Sequence, residues 1–284
     1  MKPASFPPLP TETADVARSV FNIDNVYISI GDQVDDLFRD LNLGDLDAMG
    51  GKRPGSLCLL AMVTVFQYAE DLPDRLAAEA VRKRTDWKYA LHLSLDYPYF
   101  NPIALCEFRQ QILLNKEGQQ VFQCMLKRLT EIGLLNHRVK NWTGAGDVLM
   151  SVCTLSRVDQ LVQAMTLALE ALAATHPELL RGVTLPHWYK RYSQPAPTIN
   201  LPNSKGDQKV LVQAIGEDTS YLLETVSTGD EPGPAQLPEV RSLRRTWQQQ
   251  FEQEASEFRW CKYCSFCQGT TLPSRLQRQG GDSS

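Results

Sequence analysis

The chain has no apolar run long enough to cross a bilayer. Its longest, Leu57 to Phe66, falls well short of the roughly 18 residues that a spanning helix needs. Nor does it open on a signal-like apolar core, because MKPASFPPLP is dominated by proline. The sequence therefore predicts no membrane partner. There is no surplus of positive charge: 29 Lys and Arg stand against 33 Asp and Glu in 284 residues, a net charge of -4. Affinity for nucleic acid would have to come from a local basic face. Histidine is scarce; His92, His137, His176 and His187 lie far apart, without H-E-x-x-H spacing. No G-x-S-x-G elbow occurs. Gly144-Ala145-Gly146 lacks the lysine of a phosphate loop and the last glycine of a dinucleotide fingerprint. Hydrolytic and nucleotide-binding chemistry thus find no support. Internal repeats of solenoid period and strand-like alternation are also wanting.

What is present is apolar residues at helical spacing, in a chain whose 43% hydrophobic share suffices for a core. A Pro-rich arm ends at Pro10, after which Thr11 or Thr13 is expected to cap a short helix carrying Val16, Val20 and Phe21. Val34, Leu37, Phe38 and Leu41 make one helical face. Ser56 should cap the stretch Leu57 to Tyr68. That stretch is apolar nearly all round, as befits the central helix of a bundle. Asp74 to Arg84 reads as a short amphipathic helix, and further helices are predicted over 86–93, 103–114, 119–135 and 148–180, with Pro177 ending the last or starting a short new turn. Residues 193–209 read as a surface connection, and 210–215 and 221–226 as two short helices around Gly216. Glu239 to Ser256 reads as one polar helix with Val240, Leu243, Trp247 and Phe251 on one face. The fold class is mainly α: a helical bundle with a helix-turn-helix-like unit, followed by a helical insert.

Three features bear on chemistry. The helix, turn and helix at 57–84 could place a short second helix in a major groove about 12 Å wide, and plain bundle packing explains the same pattern. A patch of Arg82, Lys83, Arg84, Trp87, Lys88 and Tyr89 interleaves cations with rings. Such a mixture suits phosphates and bases, or a solvated face over two core aromatics. Cys261, Cys264 and Cys267 have C-x-x-C-x-x-C spacing suited to zinc or an iron–sulfur cluster. A fourth ligand is missing, however, since no Cys follows Cys267 and no His follows His187. Cys58, Cys106, Cys124 and Cys153 fall singly within apolar helical patterns, as buried free thiols do.

The run MVTVFQYAEDLPDRLAAEAVRKRTDWKYALHLSL, with CEFRQQIL after it, closely resembles the N-terminal region of bacterial insertion-sequence DDE transposases with an InsH-type N-terminal domain. The resemblance continues through LKRLTEIGLL, DVLMSVCTLSRVDQLV, LPHWYKRY and LRRTWQQQFEQ, and covers roughly residues 10 to 260. It implies a helical domain that recognises element-end DNA, ahead of an RNase H-like domain whose three acidic residues hold Mg²⁺ in intact members. In those, the first catalytic Asp lies in a T-D-S-T-H-V-L strand. The matching residues here are Thr143 to Leu149, with Gly144 at the Asp position. Glycine offers no ligand. Asp147, three residues on, would face the other side of a strand and is a weak substitute.

The resemblance also implies that the RNase H-like domain is essentially missing, and that the last two dozen residues are a non-family tail from a frameshifted or decayed gene. It divides the chain into an arm and short helices (1–50), an InsH-type DNA-binding domain (51–136), a remnant of the first catalytic strand plus helical insert (137–260), and an unstructured tail (261–284). The expected function is binding of transposon-end DNA without cleavage and with no cofactor. Arg75, Arg82, Lys83, Arg84, Lys88 and Arg109 are the expected DNA contacts. The expected partners are double-stranded DNA at the element's terminal repeats, and a second copy or an intact transposase. The expected location is the cytoplasm, at the nucleoid. The alternative is a helical protein–protein interaction module without DNA binding, pairing through the 148–172 helix.

Overall fold

Pro10 holds extended backbone (φ -64°, ψ 132°) immediately before the first helix, so the chain turns helical as the proline run ends. The computed structural model describes residues 7–38, 54–98, 100–135, 144–192, 201–202, 204–228, 233–254 and 257–261. In order these form α1 (Thr11–Val20), α2 (Val26–Asp32), α3 (Val34–Phe38), α4 (Pro54–Glu70), α5 (Asp74–Lys83), α6 (Thr85–Ala90), α7 (Ile103–Leu114), α8 (Lys116–Glu131), α9 (Ala145–Thr175), α10 (Pro177–Val183), α11 (Pro186–Tyr192), α12 (Lys205–Thr228), α13 (Gly233–Gln236), α14 (Pro238–Gln250), β1 (Phe251–Glu254) and β2 (Glu257–Trp260). The protein is mainly α. Two compact units divide it: residues 1–156 with 198–203, and residues 157–197 with 204–284. The division between the units falls inside α9.

In the first unit α4 is the hub, as its all-round apolar sequence predicts. Met62, Val63, Val65 and Phe66 are fully buried and join one core with side chains of α2, α3, α5 to α8 and the start of α9. Phe66 meets Tyr27 edge-on at 4.9 Å between ring centroids and Trp87 at 5.1 Å. The helix starts at Pro54, so Ser56 is not its cap; proline is favoured in a first turn because its missing N–H costs nothing there. Thr13 is not a cap either: it is buried, and its hydroxyl donates to the Leu93 carbonyl at 2.8 Å. Asp71, at φ 55°, turns the chain between α4 and α5, a left-handed conformation that short polar side chains tolerate. His92 ties down the arm, its ring nitrogens lying 2.7 Å from the Pro7 carbonyl and 2.9 Å from that of Gly31.

In the second unit one continuous helix, α12, replaces the two short helices expected around Gly216. The glycine is there for packing. A Cβ at 216 would lie 2.5 Å from Cζ of Phe251 and 2.8 Å from Cε2 of Phe258. The helix expected over 239–256 stops at Gln250 and gives way to an antiparallel hairpin, Phe251 opposite Trp260 and Glu252 opposite Arg259. Phe251 lies among the rings of Trp247, Phe258 and Trp260, with centroids 5.1–5.5 Å away. Buried Arg157 of α9 fixes the hairpin: it donates to the Gln250 side chain (2.5 Å) and the Cys261 carbonyl (2.8 Å), and lies 4.1 Å over the Trp260 ring. Val148, Val152, Leu155, Val158, Leu161, Met165 and Leu172 are buried within the chain itself. That leaves Leu167 as the one exposed large apolar side chain described in the 148–172 stretch.

Gly216→Ala reads this hairpin docking. Alanine normally helps a helix interior by about 1 kcal/mol over glycine. Here the added methyl should cost about 1–3 kcal/mol by overpacking, seen as a lower midpoint in urea unfolding. A higher midpoint would mean that the rings do not rest on Gly216.

Candidate nucleic-acid interface

Asp74 opens α5, where a carboxylate suits the positive end of the helix dipole. Its backbone N–H donates to Ser156 Oγ at 3.1 Å, and its carboxylate receives Arg109 through two bonds of 2.6 Å and Gln67 Nε2 at 2.8 Å. Ala77, Ala78, Ala80 and Val81 then pack inward. Only a narrow strip of α5 remains outside, holding Arg75, Glu79, Arg82 and Lys83. Lys83 Nζ is 2.5 Å from Glu79 and Arg82 3.9 Å from it. Hydrogen bonding from Lys83, then its charge, hold the Glu79 carboxyl below its ordinary value, and Arg82 and Arg75 add to the effect. Three cations thus surround one carboxylate. Arg75 and Arg82 are seven residues apart, about 10 Å along the axis at 1.5 Å per residue.

The other expected contacts are used by the fold. Arg109 is 1% exposed and locked to Asp74. Burial alone would lower its pKa, but the charge and hydrogen bonds of Asp74 reverse that and raise it. Lys88 is buried, donates to the Leu95 carbonyl, and has its ammonium pushed down by burial. Arg84 pairs with Glu70 and Asp86. Its guanidinium lies 5.2 Å over the Tyr27 ring and 4.9 Å over Trp87. Again burial lowers its pKa and the two carboxylates more than restore it. Trp87 is fully buried, so the basic–aromatic patch is core packing on one side and a cation strip on the other. Lys83 beside Glu79 was legible as an i, i+4 pair. Asp74 gave no sequence signal, because Arg109 and Ser156 lie 35 and 82 residues away from it.

The region matched to a first catalytic strand is a helix. Val148, Leu149 and Val152 are buried at helical spacing, and the Gly144 carbonyl accepts from the N–H of Asp147 at 3.1 Å. Gln123 Oε1 caps the start by accepting from Ala145 N–H at 2.6 Å. The strand alternation assumed for Asp147 therefore does not apply. Asp147 sits in the first turn of α9, close enough to Tyr68 that, after burial, its charge helps to raise that phenol. Gly144 supplies no donor, and no cluster of three or more His, Cys, Asp or Glu that could hold a metal occurs among the described residues. Where the resemblance sets a metal-holding Asp, Gly144 has no side chain to offer. Of the cysteine triplet, Cys261 is buried and its thiol is pushed up by burial; Cys264 and Cys267 lie outside the described residues.

A second polar cluster lies in the unit beginning at Arg157. Asp218, buried on α12, accepts from His187 Nε2 at 2.9 Å and Tyr192 Oη at 2.7 Å, and pairs with Arg191. Burial disfavours its charge, yet the His187 and Tyr192 bonds and the Arg191 charge outweigh that and lower its pKa. No signal in the sequence marked this cluster, since His187 and Asp218 are 31 residues apart.

Residues 18–111 match the family model described as Transposase domain (DUF772). The matched segment runs from within α1 to within α7 and includes all of α4, α5 and α6. The similarity ties this part of the chain to transposition. No curated protein and no solved structure matches the chain. No helix among the described residues is long and apolar enough to cross a membrane.

Two substitutions test the buried groups. Arg109→Ala takes both guanidinium bonds from the buried Asp74 carboxylate and leaves it only Gln67 Nε2, and should cost about 3–5 kcal/mol in urea unfolding. The double change Arg109→Met, Asp74→Leu should recover most of it, because a buried pair can be replaced by apolar groups at little loss. Asp218→Asn should destabilise near neutrality by about 1.5–3 kcal/mol, the worth of hydrogen bonds to a charged group. Its folded pKa is depressed, so that stabilisation is present above the unfolded carboxylate value and fades as pH falls through the lower folded one. Melting curves of wild type and variant should begin to approach each other only below about pH 4 and meet only beneath the lower folded value.

Proposed function

We propose that the first unit binds double-stranded DNA at the ends of an insertion sequence, as an InsH-type N-terminal domain of a DDE transposase, and that the chain does not cut it. One observation carries the reading: the outward strip of α5, with Arg75, Arg82 and Lys83, lies inside the segment similar to a transposase domain. The strip presents a net excess of cations on a helix braced by α4, the arrangement that a helix-turn-helix unit uses against a duplex. Phosphates would displace Glu79 as the partner of these cations and release condensed counterions, which makes the affinity depend on salt. Arg84, Lys88 and Arg109 drop out of the proposed contact set. Their work is to hold α5 and α6 in place. The reading that the chain does not cut rests on the resemblance, which sets Gly144 where intact members carry a metal-holding carboxylate. Such a chain would act at the nucleoid, and by occupying terminal repeats it would compete with an intact transposase.

A mobility-shift titration on the element's terminal repeats tests this. Replacing Arg75, Arg82 and Lys83 by Ala should weaken binding and reduce the slope of log K against log salt by about 0.9 for each phosphate no longer neutralised. An unchanged slope removes α5 from the interface. Absence of any shift by the wild-type chain removes the reading and leaves the helical interaction module.

A further inference from the structure

Outside the segment similar to a transposase domain, α14 carries a second cationic face. Arg241, Arg245 and Gln248 are all exposed. With 3.6 residues per turn they fall within about 60° of one another around the axis and span about 10 Å along it. Arg244 flanks them, half-buried, with Nη2 donating to Ser227 Oγ at 2.6 Å. The opposite face is the anchored one: Val240 and Leu243 are fully buried, and Trp247 Nε1 donates to the Gly216 carbonyl at 3.2 Å. The helix is thus fixed in rotation with its arginines outward. Glu239, the acidic residue of its first turn, lies about 160° round from Arg241. Among the described residues, neither Arg241 nor Arg245 forms an ion pair. In this respect the face differs from α5, where Glu79 offsets part of the charge.

We infer that this face of α14 is a second, sequence-independent contact for the phosphate backbone of duplex DNA. It rests on the reading that the chain is a DNA-binding protein, but on different residues in a different unit. Two guanidinium groups one turn apart suit phosphate oxygens, because each presents a planar fork of donors. Gln248 adds a neutral donor and acceptor on the same line. A lipid surface is the poorer match. A helix that lies in a membrane interface needs an exposed apolar face opposite its charges, and the apolar face of α14 is spent inside the unit.

The test uses the full chain, a fluorescent duplex of arbitrary sequence, and titrations at several KCl concentrations. Arg241→Ala with Arg245→Ala should lower the salt slope by about 1.8, at about 0.9 per phosphate, and should do so equally in the background lacking Arg75, Arg82 and Lys83. Arg241→Lys with Arg245→Lys keeps the charge and should keep most of the slope, which separates a phosphate role from a folding defect. If the α5 variant loses slope and the α14 variant does not, this inference fails and the first reading stands. If the α14 variant loses slope and the α5 variant does not, the inference stands and the α5 assignment fails. No duplex binding by the wild type overturns both. Binding to vesicles containing anionic phosphatidylserine, lost with Arg241 and Arg245 while duplex binding is kept, overturns the inference in favour of a membrane contact.

Discussion

The arrangement of the first unit depends on one carboxylate, that of Asp74, being buried and fully partnered. A buried carboxylate costs several kcal/mol to desolvate. Here Arg109, Gln67 and the positive end of α5 share that cost, and the adjoining backbone N–H is met by Ser156. The set joins α4, α5, α7 and α9 at one point. It fixes where α5 begins, hence which of its residues point inward and which outward. The alanines that follow permit close approach to the core, and the cation strip is what remains on the far side.

Much of this architecture was legible. Helix α7 runs over Ile103–Leu114, the range its apolar spacing predicts, and α4 is the buried hub that its all-round apolar character requires. Such elements obey short-range rules: period, capping and breakers. The errors fall where a distant partner overrides local pattern. Gly216 looks like a break in sequence, but in the structure it gives the room that two phenylalanines need. Residues 251–254 keep enough polarity to extend a helix, yet they form a strand because Arg157, ninety-three residues earlier, holds Gln250 and the chain around it.

The candidate site was half legible for the same reason. A basic run can be seen in sequence, but not which of its members face outward. Arg82 and Lys83 point out because Val81 points in; Arg84 is turned back over Tyr27 and Trp87 by two carboxylates. Arg109 belongs by spacing to a helix face and by contact to the core. The strand reading of the Gly144 region came from resemblance rather than from its own residues, whose spacing of Val148, Leu149 and Val152 is helical.

Cys261 has a practical consequence. It is buried, and burial pushes its thiol up, whereas Cys124 on α8 is exposed. Only the thiolate reacts with alkylating agents. Labelling of Cys261 therefore reports opening of the structure around it. The chain carries its own clock for local opening, read by peptide mapping against the fast standard at Cys124.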